Sequence, residues 1–185
     1  MNIINDYITD LHQILDDLPT NDIEKVISML HQARLGNKQI FIMGNGGSAS
    51  TASHFVCDLG KNTRREGWPH FRVIGLTDNM ATLSAYANDE GYENVFARQL
   101  EGLVQPDDVV IAISTSGNSP NVLRAVKLAC EAGAQTVGFT GFGGGKLGGM
   151  VNVNVLVPSD CIERVEDVHL MLEHLICMAL REMAV

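Results

Sequence analysis

The chain has 185 residues, of which 45% are hydrophobic and 19% charged, with 13 basic against 22 acidic side chains and a formal net charge of −9. That length suits one domain with a substantial core, 1–185, and the apolar fraction excludes a disordered chain. The acidic balance argues against a nucleic-acid binder, and the one basic cluster, Lys61 to Arg65, reads as a solvated loop. Ile4, Tyr7, Ile8, Leu11, Leu15 and Leu18 share one helical face, and Pro19 interrupts it. A second helix carries Ile23, Val26, Ile27, Leu30 and Ala33, with Asn21 placed to cap it and Gly36 to end it.

From residue 39 the texture changes. Short apolar runs recur at Ile40–Met43, Val73–Leu76, Val109–Ile113, Thr136–Phe139 and Val153–Val157. Helical spacing fills the gaps near 48–60, 79–102, 119–132 and 162–183. Strands alternating with helices predict βαβ units and a parallel sheet covered on both faces over 37–185, preceded by a helical extension over 1–36. The extension's apolar stripe packs either on its own sheet or against a second copy. Gly141-Phe142-Gly143-Gly144-Gly145 reads as a flexible loop. It lacks the G-x-G-x-x-G order and follows a late strand, so it is not a dinucleotide fingerprint.

Cys57, Cys130, Cys161 and Cys177 form no C-x-x-C pair, and Cys130 and Cys177 fall in apolar helical patterns, as expected of reduced thiols in a cytoplasmic protein. The polar stretch Met1 to Asp6 is no signal peptide, and no apolar run approaches a membrane span.

Ligands of open α/β sheets bind outside the carboxyl ends of the strands, and two loops stand out there. Gly44-Asn45-Gly46-Gly47-Ser48 follows the first strand, where glycines permit close backbone approach and Asn45 and Ser48 offer hydrogen bonds. Ser114-Thr115-Ser116-Gly117-Asn118-Ser119 joins the third strand to a helix. Free N–H groups, the helix dipole and four hydroxyls favour an anion there, and the absence of a P-loop lysine suits a phosphate carried on a small neutral molecule. His54 and Asp58 are four apart on one helical face. Glu166, His169, Glu173 and His174 lie on the last helix, where His169 and Glu173 read as an exposed pair. Glu166 and His174, eight apart, would be separated by about 12 Å along one continuous helix, so one metal could not easily draw on both from one copy of it; either the helix begins after Glu166 or two subunits contribute.

Together the motifs GNGGS, His54-Phe55, Asn88-Asp89, STSGNS and the Arg164–His174 segment resemble the SIS (sugar isomerase) phosphosugar-binding family, and most closely its phosphoheptose isomerases. The resemblance implies a flavodoxin-like, doubly wound, five-stranded parallel sheet and a homotetramer with active sites between subunits. It implies conversion of sedoheptulose 7-phosphate to D-glycero-D-manno-heptose 7-phosphate, with Zn²⁺ in the site. Carried over by residue, it assigns Ser114, Thr115, Ser116 and Ser119 to the phosphate. Asn45, Gly46, Gly47, Ser48, Asn88, Asp89 and Glu166 fall to the substrate. His54, Asp58, Glu166 and His174 fall to the metal, and Asp58 and His174 to acid–base work.

Two positions depart from the family's pattern. Its glutamate is Asp58 here, which retracts the carboxylate by roughly 1.5 Å. Its glutamine is Glu166. The chemistry needs a base to lift a proton beside a carbonyl, a group to shuttle protons between oxygens, and a charge to steady the enediolate. Asp58 cannot easily be a full-time ligand and the base together. The alternatives are an isomerase of another sugar phosphate, or a non-catalytic relative that binds a phosphosugar or a replication initiator protein.

Overall fold

The computed structural model describes residues 2–183, so Met1 lies outside it. In chain order the elements are α1 (Ile3–Asp16), α2 (Thr20–Leu35), β1 (Gln39–Gly44), α3 (Gly47–Lys61), β2 (Arg72–Gly75), α4 (Met80–Glu90), α5 (Ala97–Glu101), β3 (Val109–Ser114), α6 (Pro120–Glu131), β4 (Gln135–Thr140), α7 (Gly145–Gly148), β5 (Val153–Leu156) and α8 (Ile162–Glu182). The strands form one sheet in the order β2-β1-β3-β4-β5, and every neighbouring pair is parallel. This is the flavodoxin-like doubly wound order, and its direction reverses between β1 and β3. The crevice at that switch point is flanked by the two loops expected to bind the ligand.

Alternation along the strands builds two cores. Ile40, Ile42, Val109, Ile111, Ile113, Val137, Phe139, Val153 and Val155 face one side, where α2, α3 and α8 cover them. Phe41, Met43, Val110 and Ala112 face the other, against Leu100 of α5, Val122, Ala125 and Val126 of α6, and Leu147 of α7. Central strands β1 and β3 are almost wholly buried, whereas the edge strand β2 is half exposed.

The helical extension divides its loyalties. Ile23, Val26, Leu30 and Ala33 bury α2 on its own sheet. In α1 only Ile14 is buried, and Ile3, Ile4, Ile8 and Leu15 stay exposed. Polar contacts moor α1 to the start of α8: the Tyr7 hydroxyl donates to Asp167 at 2.6 Å, and Arg164 pairs with Asp10 at 2.6 Å.

Some boundaries differ from expectation. Pro19, not Asn21, occupies the cap position of α2, because the helix opens at Thr20 and leaves Asn21 in its first turn. Gly36 does close it. The helix expected over 79–102 is three pieces, broken at Gly91, whose φ of +91° lies in the left-handed region. The glycine loop after β4 folds into a 3₁₀ turn, Phe142–Gly144, and α7. All four cysteines are free. Cys177 is buried, but Cys130 is exposed despite its apolar setting in the sequence.

Candidate active site

The two loops at the switch point form the walls of a cleft of about 250 Å³. Asn45, Gly46, Gly47 and Ser48 line one side, and Ser114, Thr115 and Ser119 the other, with Ser114 Oγ 3.3 Å from Ser119 Oγ. Ile162 and Glu166 close it from α8. Helices α3, α6 and α8 all begin here, so three N-termini present unpaired N–H groups to one small space. Asn45 is held rigidly: its amide and that of Asn121 donate to each other at 2.9 Å, and the Tyr92 hydroxyl donates to Asn45 Oδ1 at 2.9 Å.

Ser116 points away. It is exposed, and its Oγ accepts from the Asn118 backbone N–H at 3.3 Å, shaping the turn rather than lining the cleft. Gly117 follows with φ +62°, and a Cβ there would strike the carbonyl of Gly144. The glycine loop after β4 therefore buttresses the serine loop. Gly141 N–H donates to Thr115 O at 2.9 Å, and Leu147 N–H to Gly117 O at 2.9 Å.

Glycine at position 47 lets α3 and α8 close at their first turns. A Cβ on Gly47 would stand 2.5 Å from Glu166 Oε2. Seven residues further along each helix, on the same faces, stand His54 and Glu173, about 10 Å down the seam at 1.5 Å per residue. There His54, Asp58, Glu173 and His174 each offer a ligand atom, all within 4.8 Å of one another. The imidazoles of His54 and His174 meet edge to face at 4.9 Å between centroids. His54 Nε2 is 3.8 Å from Asp58 Oδ1, and His174 Nε2 is 3.4 Å from Glu173 Oε2.

The carboxylates differ in setting. Asp58 Oδ1 accepts from Asn62 Nδ2 at 2.7 Å. Glu173 is 0% exposed, and neither of its oxygens has a partner among the described residues. Burial, and then the neighbouring Asp58 charge, pushes the Glu173 carboxyl up to about 8. His169, 1% exposed, has no hydrogen-bond partner for either ring nitrogen among the described residues, and burial pushes it down to about 4, so it is neutral. A divalent cation suits the cluster: two imidazoles and two carboxylates are its usual hard-to-borderline donors, and its charge would balance a buried carboxylate that has no hydrogen-bond partner among the described residues.

The expected residues thus divide. Asn45, Gly46, Gly47, Ser48, Ser114, Thr115, Ser119 and Glu166 meet at the cleft. Asn88 and Asp89 do not. They end α4, exposed, with Asn88 Nδ2 donating to Asp89 Oδ1 at 2.7 Å. His54, Asp58 and His174 meet at the cluster, but Glu166 stays in the cleft and Glu173 stands in its place. Helix α8 runs unbroken through Glu166 and His174, so no single copy of it brings both to one centre. The two halves of the cluster also meet within one chain, through α3 packed on α8, with no subunit boundary between them. Reading His169 and Glu173 as an exposed pair is incorrect. Val165, Val168, Leu172, Ile176 and Leu180 trace the buried stripe of α8, and both residues fall inside it. That periodicity is the signal that locates Glu173.

The family model described as SIS domain matches residues 5–141. Over 157 residues the chain is 41% identical to the phosphoheptose isomerase of Aliarcobacter butzleri, covering 84% of this chain and 82% of that one. The chain belongs to the SIS domain family, among its phosphoheptose isomerases. A probable phosphoheptose isomerase of Thermoplasma acidophilum is 40% identical over 164 residues, covering 87% of this chain and 90% of that one. Among solved structures, the phosphoheptose isomerase of Francisella tularensis superposes on this SIS domain with a TM-score of 0.90 at 30% identity, covering 98% of each chain. That of Neisseria gonorrhoeae gives 0.89 at 28% identity over 97% of each.

Proposed function

We propose that the protein is an aldose–ketose isomerase that interconverts sedoheptulose 7-phosphate and D-glycero-D-manno-heptose 7-phosphate. The observation that carries this reading is the α3–α8 seam, with an anion cleft at its head and an acid–base and metal cluster two turns below. The helical spacing between them is about 10 Å. From C2 of a heptulose 7-phosphate to its phosphorus there are seven bonds, roughly 9 Å as an extended zigzag of 1.5 Å bonds.

The phosphate is held by the hydroxyls of Ser114, Thr115 and Ser119 and by backbone N–H groups at the helix starts. Ser116 acts through the turn. Asn45, Ser48 and Glu166, with the backbone of Gly46 and Gly47, orient the sugar hydroxyls. Asp58 takes the proton from C1 of the ketose and returns it to C2, while His174 carries the hydroxyl proton from O1 to O2. The cluster of His54, Asp58, Glu173 and His174 would supply the ligands of a divalent cation, zinc by the character of the donors. When bound it supplies a positive charge beside the oxygen that becomes negative.

The working assembly is a homotetramer. Exposed apolar side chains on α1 (Ile3, Ile4, Ile8) and on α8 (Met171, Leu175, Met178) support it. So does α4, which has no buried residue and carries Asn88 and Asp89 for a neighbour's cleft. A cytoplasmic setting agrees with four free cysteines, and no helix among the described residues is long and apolar enough to cross a membrane.

The deciding experiment is turnover of sedoheptulose 7-phosphate, followed by appearance of the aldose. Isomerisation of this ketose in preference to pentulose and hexulose phosphates supports the reading. Binding without turnover would replace it with a phosphosugar-binding role.

A further inference from the structure

The four side chains of the cluster are not equivalent, and the structure distinguishes two tasks among them. Resting on the isomerase reading above, we propose that Glu173, with His54 and His174, forms the permanent ligand set of the cation, and that Asp58 stands outside it as the free base. Three observations point this way. Glu173 is wholly buried, neither of its oxygens has a hydrogen-bond partner among the described residues, and it offers one of them to the cluster, a state that costs several kcal/mol unless a cation or donor satisfies it. Asp58, by contrast, already accepts a hydrogen bond from Asn62 at 2.7 Å and so has a partner without any ion. Glu173 Oε2 also lies nearer its histidine, 3.4 Å from His174 Nε2, than Asp58 Oδ1 lies to His54 Nε2, at 3.8 Å.

Two imidazoles and one glutamate make a three-ligand site of the kind that leaves zinc a fourth position for substrate oxygen. The His54 and His174 side chains are 43% and 51% exposed, so the cluster can be reached from solvent. The arrangement resolves the conflict created by the short side chain at position 58. A carboxylate tied to a cation is a poor base, and Asp58 is released from that duty because Glu173 has taken it. Glu166, the alternative ligand, is held in the cleft against Gly47 and is left to the substrate.

The test is zinc affinity of the full chain, measured by competition with a chromogenic chelator after stripping, alongside steady-state turnover. Glu173→Gln should weaken zinc by more than about a hundredfold, beyond the roughly 10–100-fold that follows loss of a group that only supports a ligand. Asp58→Asn should keep zinc affinity within about threefold while turnover falls by about 10²–10⁴-fold. Glu166→Gln should leave zinc affinity unchanged and raise KM. Glu173→Leu controls for folding. Its stripped form should melt no lower than the stripped wild type, and added zinc should not raise its melting temperature as it raises that of the wild type. Wild-type zinc affinity in Glu173→Gln would overturn the proposal, as would a loss in Asp58→Asn equal to that in Glu173→Gln. A wild-type protein that turns over the heptulose phosphate yet binds no zinc would overturn the ligand set and leave the isomerase reading standing.

Discussion

Ser119 and Ser114 stand close enough to act as one donor pair, and Ser116 stands apart. Ser119→Ala should therefore raise KM for the sugar phosphate by about tenfold or more, the worth of one hydrogen bond to a charged group, with kcat little changed. Ser116→Ala should do less, and steady-state kinetics of the pair separates the two. His169 allows a second test through pH. Its folded value is depressed from 6.5 to about 4, so the native state resists protonation that the unfolded chain accepts. Its contribution is complete above pH 6.5 and is lost as pH falls through 4, amounting to about 3 kcal/mol at 1.36 kcal/mol per unit. Denaturant melts at pH 7 and pH 4.5 should show His169→Leu losing less stability over that interval than the wild type. Of the site residues, His54, Asp58 and His174 were legible because helical spacing and the family pattern both mark them. Glu173 was not, because a glutamate four residues after a histidine on a helix ordinarily faces water. The apolar stripe of α8, Val165 to Leu180, passes through it, but the charged side chain masks that signal until α8 is seen packed on α3.

At the scale of elements, the serine loop owes its shape to a second loop. Gly117→Ala would meet both an unfavourable φ of +62° and the Gly144 backbone. We expect it to cost about 1–3 kcal/mol and to raise KM, whereas Ser116→Ala, which removes one exposed hydrogen bond of the turn, should cost less. Thermal melts with and without inorganic phosphate would measure both effects. The five strands were legible almost to the residue: the buried central strands β1 and β3 are unbroken apolar runs, and the other three are short apolar-rich segments set between helical spacings. The segment 79–102 was not. Its helical spacing is real, but one glycine in the left-handed region turns the chain between two short helices, and apolar periodicity does not register that break. The role of Gly141–Gly145 was equally hidden, since the loop it supports lies twenty-odd residues away in sequence.

For the whole molecule, the two N-terminal helices have different stakes. Removing residues 2–17 takes away one buried residue, Ile14, whereas removal through residue 35 would also uncover the sheet beneath Ile23, Val26 and Leu30. The shorter truncation should fold, with a far-ultraviolet spectrum consistent with loss of one helix, and sediment as a smaller species than the full chain. Unchanged sedimentation would remove α1 from the interface. Sequence periodicity disclosed both apolar stripes but not which was spoken for, because that depends on what the sheet leaves room to cover. The cleft draws its positive potential from three helix starts, which are made of backbone and reach only a few ångströms, while the chain as a whole carries −9. A doubly charged sugar phosphate is thus repelled at a distance and attracted only on arrival. Salt shortens the reach of the repulsion before it weakens the embrace, so the rate constant for capture should rise with ionic strength at low salt, opposite to an enzyme that steers its ligand inward.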